Sequence, residues 1–269
     1  MLLEISFAAA VVMLASLSGV VFTQGFAKRF LETRLPTLVS FSAGVFLVTS
    51  GALILEVFYV ITSVPQAIMF VVIGYAGAWA LHFLLPETHH HHGTDCAKKH
   101  GGARKLLVGD GIHNIADGII LVPAFLASPA LGLAVTVSIV IHETLQEISE
   151  FFVLRQAGYS VRRALLTNFL ISSTIFIGIG LSYSALTTDA LEGVLLAVSA
   201  GFFLHVVVHD LLPKRHEHET VQGLISQIGV VCLGVILMAL VTLSLGDAHV
   251  HGDHDGHDHD HEGESVIVP

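Results

Sequence analysis

The sequence predicts an all-α integral membrane protein with eight transmembrane helices. The chain has 269 residues, of which 53% are hydrophobic and only 13% are charged. Soluble domains carry about 25% charged residues, so this shortage of charge favours a polytopic membrane protein. Long apolar runs in such a protein must be helical, because lipid offers the backbone no hydrogen-bonding partners.

Eight apolar runs have about the 20 residues that a spanning helix needs. Their expected ranges are 4–26, 37–59, 66–85, 106–126, 131–155, 162–184, 190–211 and 221–245. The basic residues give an independent check on that number. All twelve Lys and Arg residues fall after the first, third, fifth or seventh span. By the positive-inside rule these connections are cytoplasmic, and the N- and C-termini are outside.

The spans divide the chain into four segments. Residues 1–87 contain the first three spans, and residues 106–245 contain the other five. Residues 88–105, THHHHGTDCAKKHGGARK, form a His-rich cytoplasmic loop, and residues 246–269 form an external tail rich in His and Asp. Neither has the apolar content of a core, so we expect both to be disordered without a ligand. Imidazole and carboxylate groups suit divalent transition metals, so we expect the tail to capture such ions; a solvated charged tail is the alternative.

Two consecutive spans carry ionisable residues at the depth of the bilayer interior. The fourth span reads HNIADG at 113–118, and the fifth reads HETLQE at 142–147. A charged group there costs about 2.5–3.5 kcal/mol on insertion scales and by default marks an ion or substrate pathway. Within each motif the polar residues are three or four positions apart, so they share one helix face. A very short connection joins the two spans, so we expect the two polar faces to meet.

The two faces supply nitrogen and oxygen ligands without a thiolate. The candidate metal ligands are His113, Asn114, Asp117, His142, Glu143, Gln146 and Glu147. This donor set suits zinc, iron(II), manganese or cadmium better than copper(I). The surplus of oxygen donors favours a site that must release its ion. Hydrogen bonding between helices is the alternative, but unpaired carboxylates would then be costly in the bilayer.

Two further function classes stay open at this stage. The HExxH motif binds zinc through both histidines and uses its Glu as a base. Here Gln146 stands in the second position, and His113 is available as a replacement ligand, so an intramembrane zinc-dependent hydrolase is one alternative. A metal sensor or exporter is the other. The sequence contains no GxxxxGK[ST] loop, which argues against coupling to ATP.

At these residues the chain resembles the ZIP (Zrt/Irt-like) family of divalent metal ion transporters. The pattern HNxxDG of that family is matched in full at 113–118. The pattern HExPHE is matched at 142–147 except that Leu145 and Gln146 replace Pro and His. Residues 152–168 and 201–213 are also similar to the family, so the resemblance covers nearly all of the membrane portion.

The resemblance implies a transporter rather than an enzyme, with no catalytic residue and no bound cofactor other than its substrate. That substrate would be a divalent ion, zinc first and then iron, manganese or cadmium, moved into the cytoplasm by alternating access. Its partners would be the ion and the lipid bilayer of the cell membrane, without nucleic acid; a homodimer stays open. Two adjacent ions are implied, with Asp117 bridging them. The implied ligands are His113, Asp117, His142 and Gln146 for one ion, and Asn114, Asp117, Glu143 and Gln146 for the other.

Residues outside the two motifs give weaker signals. Asn168 or Ser172 of the sixth span would add ligands. His205 and His209 lie four positions apart on the seventh span, which predicts either a relay toward the cytoplasm through residues 216–218 or a polar helix end. Runs of small residues at 42–44, 74–78 and 178–180 predict close helix packing.

Overall fold

The computed structural model describes residues 1–23, 25–84, 101–186, 189–212 and 221–250. In these ranges the chain forms α-helices and no β-strand. The helices are α1 (Leu2–Ala15), α2 (Gly25–Val60), α3 (Val64–Leu84), α4 (Gly101–Ala127), α5 (Pro129–Gln156), α6 (Val161–Ser172), α7 (Ile175–Ala185), α8 (Asp189–Val206) and α9 (Val221–Val250). A 3₁₀ helix, Ser16–Thr23, continues α1, and a π-helical turn, Val207–Leu211, continues α8.

Eight stretches of the described chain are long and apolar enough to cross a membrane. Each overlaps one of the eight ranges expected from the sequence, and the sixth of them combines α6 and α7. The all-α fold with eight spans is therefore confirmed. The side of the membrane on which the termini lie remains a prediction from the charge pattern.

Two helices extend beyond the segments that the sequence assigned to them. The fourth helix begins at Gly101, so residues 101–105 are helical rather than part of a loop. The ninth continues to Val250, so the first residues of the expected tail are helical as well. Extending an existing helix adds one backbone hydrogen bond for each residue fixed, without a new nucleation cost. Residues 88–100 and 251–269, the remainder of the His-rich loop and tail, lie outside the described residues.

The turn between α4 and α5 fixes these two helices as antiparallel neighbours. Ser128 is the only residue between them, and its Oγ accepts a hydrogen bond from the backbone N–H of Leu131 at 3.1 Å. Pro129 occupies the first turn of α5, where a missing N–H costs nothing. A connection this short brings the polar face of α4 against that of α5, as the sequence predicted.

The sixth span is divided into two helices, although the sequence predicted one continuous run at 162–184. The division falls at Ser173 and Thr174. Ser173 Oγ donates to the carbonyl of Leu170 at 2.5 Å, and Thr174 Oγ1 donates to that of Gly111 at 2.8 Å. Hydroxyl side chains that bond to carbonyl groups compete with regular helical hydrogen bonds, which accounts for the break. At the same break, the Thr174 hydroxyl connects the sixth span to α4, next to the polar residues of α4.

Glycines let three helix pairs pack with their backbones in contact. Between α4 and α7, a Cβ on Gly118 would lie 2.0 Å from the carbonyl oxygen of Ile175, and a Cβ on Gly178 would lie 2.0 Å from that of Ile115. The same relation holds between α3 and α8 and between α2 and α9. The glycines concerned there are Gly74, Gly201, Gly44 and Gly234. The close packing expected of the small-residue runs is confirmed.

The helix contact between α4 and α7 gives a stability prediction. Gly178→Ala places a methyl group against the backbone of α4, and we expect a loss of about 1–3 kcal/mol, the usual cost of overpacking. Gly180→Ala on the same helix is the matched control, because no atom lies within 4 Å of its added Cβ. Thermal unfolding in detergent should show a lower Tm for Gly178→Ala only. Equal Tm values for the two variants would contradict this packing.

Candidate metal centre

The polar face of α4 contains four residues that repeat every three or four positions. They are Asp110, His113, Asn114 and Asp117. The exposed fractions of Asp110, Asn114 and Asp117 are 3%, 0% and 2%, so all three are inside the bundle. The last three of the four were predicted from the sequence as metal ligands, and Asp110 was not. Its position was informative, because Asp110 lies four residues before Asn114 and so shares the face of the HNxxDG motif.

The polar face of α5 meets the face of α4. His113 Nε2 lies 3.5 Å from Glu143 Oε1 and 3.9 Å from Asp117 Oδ2. The ring centroids of His113 and His142 are 5.3 Å apart. Glu143 and Glu147 are buried, as is Glu150 one turn further along α5. The seven residues selected from the sequence therefore lie on the two helix faces that form this contact.

The donor atoms form two groups that share one residue. Atoms of His113, His142 and Glu143 lie within 4.8 Å of one another, and so do atoms of Asp110, Glu143 and Glu147. The first group offers two imidazoles and a carboxylate, a donor set that suits zinc, whereas the second offers carboxylates alone. Glu143 belongs to both groups. The family resemblance had implied this shared, bridging role for Asp117. Asp117 lies beside His113 and in neither group.

The two amide side chains of the centre are both bonded to Asp110. Asn114 Nδ2 donates to Asp110 Oδ1 at 2.9 Å and to the Asp110 carbonyl at 3.1 Å. Gln146 Nε2 donates to the same Oδ1 at 2.9 Å, across the interface between α4 and α5. Asp110 Oδ1 thus accepts hydrogen bonds from an amide on α4 and from an amide on α5.

The sixth span contributes polar groups next to Glu147. Ser172 Oγ donates to Glu147 Oε1, and Asn168 Nδ2 donates to the Glu147 carbonyl at 3.2 Å. Both residues are buried. The structure therefore brings Asn168 and Ser172, the additional residues suggested by the sequence, to the carboxylate group of the centre.

Many oxygen atoms of the centre are buried without a hydrogen-bond donor. In the described part of the chain these atoms include Asp110 Oδ2, Asn114 Oδ1, Asp117 Oδ2, both Oε atoms of Glu143, Glu147 Oε2 and Glu150 Oε2. An uncompensated buried charge costs several kcal/mol, so such a cluster requires a cation or protons. Oxygen atoms that face one another without donors are the arrangement expected of a cation site.

One aromatic ring lies against the centre from the other side of the bundle, and a second ring stacks on the first. The Phe46 ring of α2 is 5.1 Å from the His142 ring and stacks on Phe203 of α8 at 4.7 Å. Near it, Thr49 Oγ1 and Ser138 Oγ form a 2.5 Å hydrogen bond between α2 and α5. No sequence pattern indicated these contacts, because a Phe in an apolar run has no distinguishing pattern. The rings form an apolar wall beside the imidazoles.

His205 and His209 form a separate cluster at the end of α8. Their rings stack with centroids 4.5 Å apart, and Tyr75 of α3 is hydrogen-bonded to His209 Nε2 at 2.9 Å. The residues at 216–218, which the expected relay would use, lie outside the described residues, so the relay stays a prediction.

The fold and this centre define the class of protein: a multi-span membrane protein with histidine and carboxylate ligands gathered between two adjacent spanning helices. Residues 75–242 match the family model described as ZIP zinc transporter. That match covers more than half of the chain, and the chain belongs to this family, whose members are multi-pass integral membrane proteins.

Three relatives show the extent of the similarity. The zinc transporter ZIP4 of Homo sapiens is 38% identical over 108 residues, covering 40% of this chain and 17% of the relative. The zinc transporter foi of Drosophila melanogaster is 30% identical over 143 residues, covering 53% of this chain and 20% of the relative. The zinc transporter ZIP10 of Danio rerio is 30% identical over 157 residues, covering 52% of this chain and 18% of the relative. The chain spans about a fifth of the length of these relatives.

The shared position of Glu143 gives a binding prediction. We expect zinc to raise the Tm of the purified protein, and Glu143→Gln to remove most of that rise, because both donor groups lose a carboxylate. The Tm shift reports the folded site selectively. Zinc that binds equally to the folded and the unfolded chain, for example through the His-rich segments, does not change the Tm. Glu4→Gln is the control, because Glu4 is exposed and pairs with the N-terminal amine. An unchanged zinc-induced shift in Glu143→Gln would contradict the assignment.

Proposed function

We propose that this chain is a transporter, not an enzyme, that carries divalent metal ions across a membrane, with zinc as its main substrate. The observation that carries the proposal is the pair of buried donor groups that share Glu143 between α4 and α5. The relatives ZIP4 and foi are zinc transporters, which supports the same substrate. Iron(II), manganese and cadmium fit the same nitrogen and oxygen ligands.

The shared carboxylate suggests how an ion moves through the centre. An ion held by His113 and His142 is already bound to Glu143, which is also a ligand of the carboxylate group. The ion therefore exchanges imidazoles for carboxylates without losing all of its protein ligands at once. Surplus ligands of moderate strength allow an ion to enter and to leave, as transport requires.

The charge pattern gives this movement a direction. Asp110 lies nearer the start of α4 than His113, and Glu147 lies nearer the end of α5 than His142. By the positive-inside rule those helix ends are cytoplasmic. Passage from the imidazoles to the carboxylates is then inward. An inside-negative potential of 100 mV favours inward movement of a divalent ion by about 4.6 kcal/mol. We place the protein in the cell membrane accordingly.

The packing of the helices suggests how access alternates. The third helix packs along α8 and the second along α9, whereas the fourth packs along α5 and α7. The centre lies in the second of these two sets, and Phe46 of the first set contacts it at His142. We propose that the set with α4 and α5 moves against the set with α2 and α8 and exposes the ion to each side in turn.

Flux into proteoliposomes tests the proposed function. Wild-type protein should give saturable uptake of zinc, read by an internal fluorescent indicator. His113→Ala should reduce uptake at least about tenfold, because a ligand lost from a metal site costs at least as much as a lost supporting contact. Asp117→Ala should reduce uptake about tenfold, because it removes the carboxylate that lies 3.9 Å from His113 Nε2. Glu4→Gln should transport like wild type. Absence of flux for zinc, cadmium, iron(II) and manganese would reject a transporter and favour the hydrolase or sensor alternatives.

Cross-linking tests the proposed movement between the helix sets. In a variant with Cys96 and Cys232 replaced by Ser, Thr49→Cys and Ser138→Cys place two thiols where two oxygens are 2.5 Å apart. Oxidation should join α2 to α5 and stop uptake, while the zinc-induced Tm shift persists. Reduction should restore uptake. The single cysteine variants serve as controls, and uptake by the fully cross-linked protein would contradict movement at this contact.

A further inference from the structure

We infer that Asp110 is a positioning residue that turns the amides of Asn114 and Gln146 so that both present oxygen to the ion. The consequence is a centre that accepts harder ions such as manganese(II) alongside zinc. This inference rests on the proposed transport function and specifies which ions that function includes.

The orientation of both amides follows from the chemistry of a carboxylate. Asp110 Oδ1 is 2.9 Å from Asn114 Nδ2 and 2.9 Å from Gln146 Nε2. An ionised carboxylate only accepts hydrogen bonds, so an amide in contact with it must turn its nitrogen toward it. The opposite orientation would place oxygen against oxygen. The Asp110 carboxylate therefore orients the Gln146 amide of α5, and together with the Asp110 backbone carbonyl it orients the Asn114 amide of α4.

The amide oxygens are consequently turned away from Asp110. Asn114 is fully buried, and its Oδ1 has no hydrogen-bond donor among the described residues. Asn114 directly follows His113 on α4, and Gln146 lies one helical turn after His142 on α5. Gln146 is thus next to His142, and Asn114 contacts Glu143, the residue that both donor groups share. A buried oxygen without a donor, beside metal-binding imidazoles, is placed to complete the coordination of an ion.

The ligand at position 146 determines how hard the site is. The HExPHE pattern would place a third imidazole there, and this chain has an amide instead. Oxygen ligands suit manganese(II) and other harder ions, whereas imidazole suits zinc. Because Asp110 orients the Gln146 amide, the centre has an oxygen ligand at position 146 where the HExPHE pattern has a nitrogen ligand. We therefore expect manganese(II) to compete effectively with zinc.

Two substitutions at Asp110 separate positioning from simple loss of charge. Asp110→Asn removes the charge but keeps an oxygen that can accept from both amides. Asp110→Leu keeps the branch at Cγ, is somewhat larger, and removes both side-chain acceptors, so that only the backbone carbonyl of residue 110 remains for Asn114 Nδ2. If Asp110 acts by orienting the amides, the ratio of manganese to zinc uptake should fall about tenfold in Asp110→Leu, a size typical of losing a supporting contact. In Asp110→Asn the ratio should stay near the wild-type value.

The experiment measures competing uptake of manganese(II) and zinc by the full chain in proteoliposomes. Gln146→His should lower the ratio of manganese to zinc uptake as well, and it decides the inference if Asp110→Leu does not fold. Glu4→Gln should leave the ratio unchanged. The inference is overturned if wild type carries zinc without manganese, if Asp110→Asn and Asp110→Leu change the ratio equally, or if Gln146→His leaves it unchanged. Absence of flux for both ions in wild type would instead reject the proposed function.

Discussion

The structure depends on one unfavourable contact: three carboxylates face each other inside the bundle, and each has at least one oxygen atom without a hydrogen-bond donor. Asp110, Glu143 and Glu147 approach within 4.8 Å of one another from α4 and α5. Isolated carboxylates at this depth would destabilise the helix pair, and a divalent cation reverses the sign of their interaction. The surrounding packing then has a clear role, because the one-residue turn at Ser128 and the contact of Gly118 with Gly178 hold α4 in place despite this repulsion.

The candidate ligands and the apolar wall beside them lie in different sets of helices. The candidate ligands are on α4 and α5, the Phe46 ring of α2 lies against His142, and Phe203 of α8 stacks on Phe46. A rigid ligand set against an apolar wall allows the ion to be held on one side and shielded on the other. Oxygen ligands positioned by Asp110, as we propose, would extend the range of ions that such a site can hold.

Much of this arrangement was predictable from the sequence, and the reasons are local. The number of spans followed from hydrophobic length and from the placement of the basic residues. The main candidate ligands followed from helical spacing in the two motifs. Asp110 was missed because it precedes the HNxxDG motif by one turn, although its spacing marked it. The break at Ser173 and the Phe46 wall depend on contacts between distant helices, which leave no periodic pattern in one segment.

The most direct test of the account is the position of a bound ion. Anomalous diffraction at the zinc absorption edge, from crystals of the full chain grown with zinc, should show an ion between His113, His142 and Glu143, with ligand distances of about 2.0–2.2 Å. An ion there would establish the site on which the whole mechanism rests. Zinc found only elsewhere, for example at His205 and His209, with no ion between α4 and α5, would contradict it.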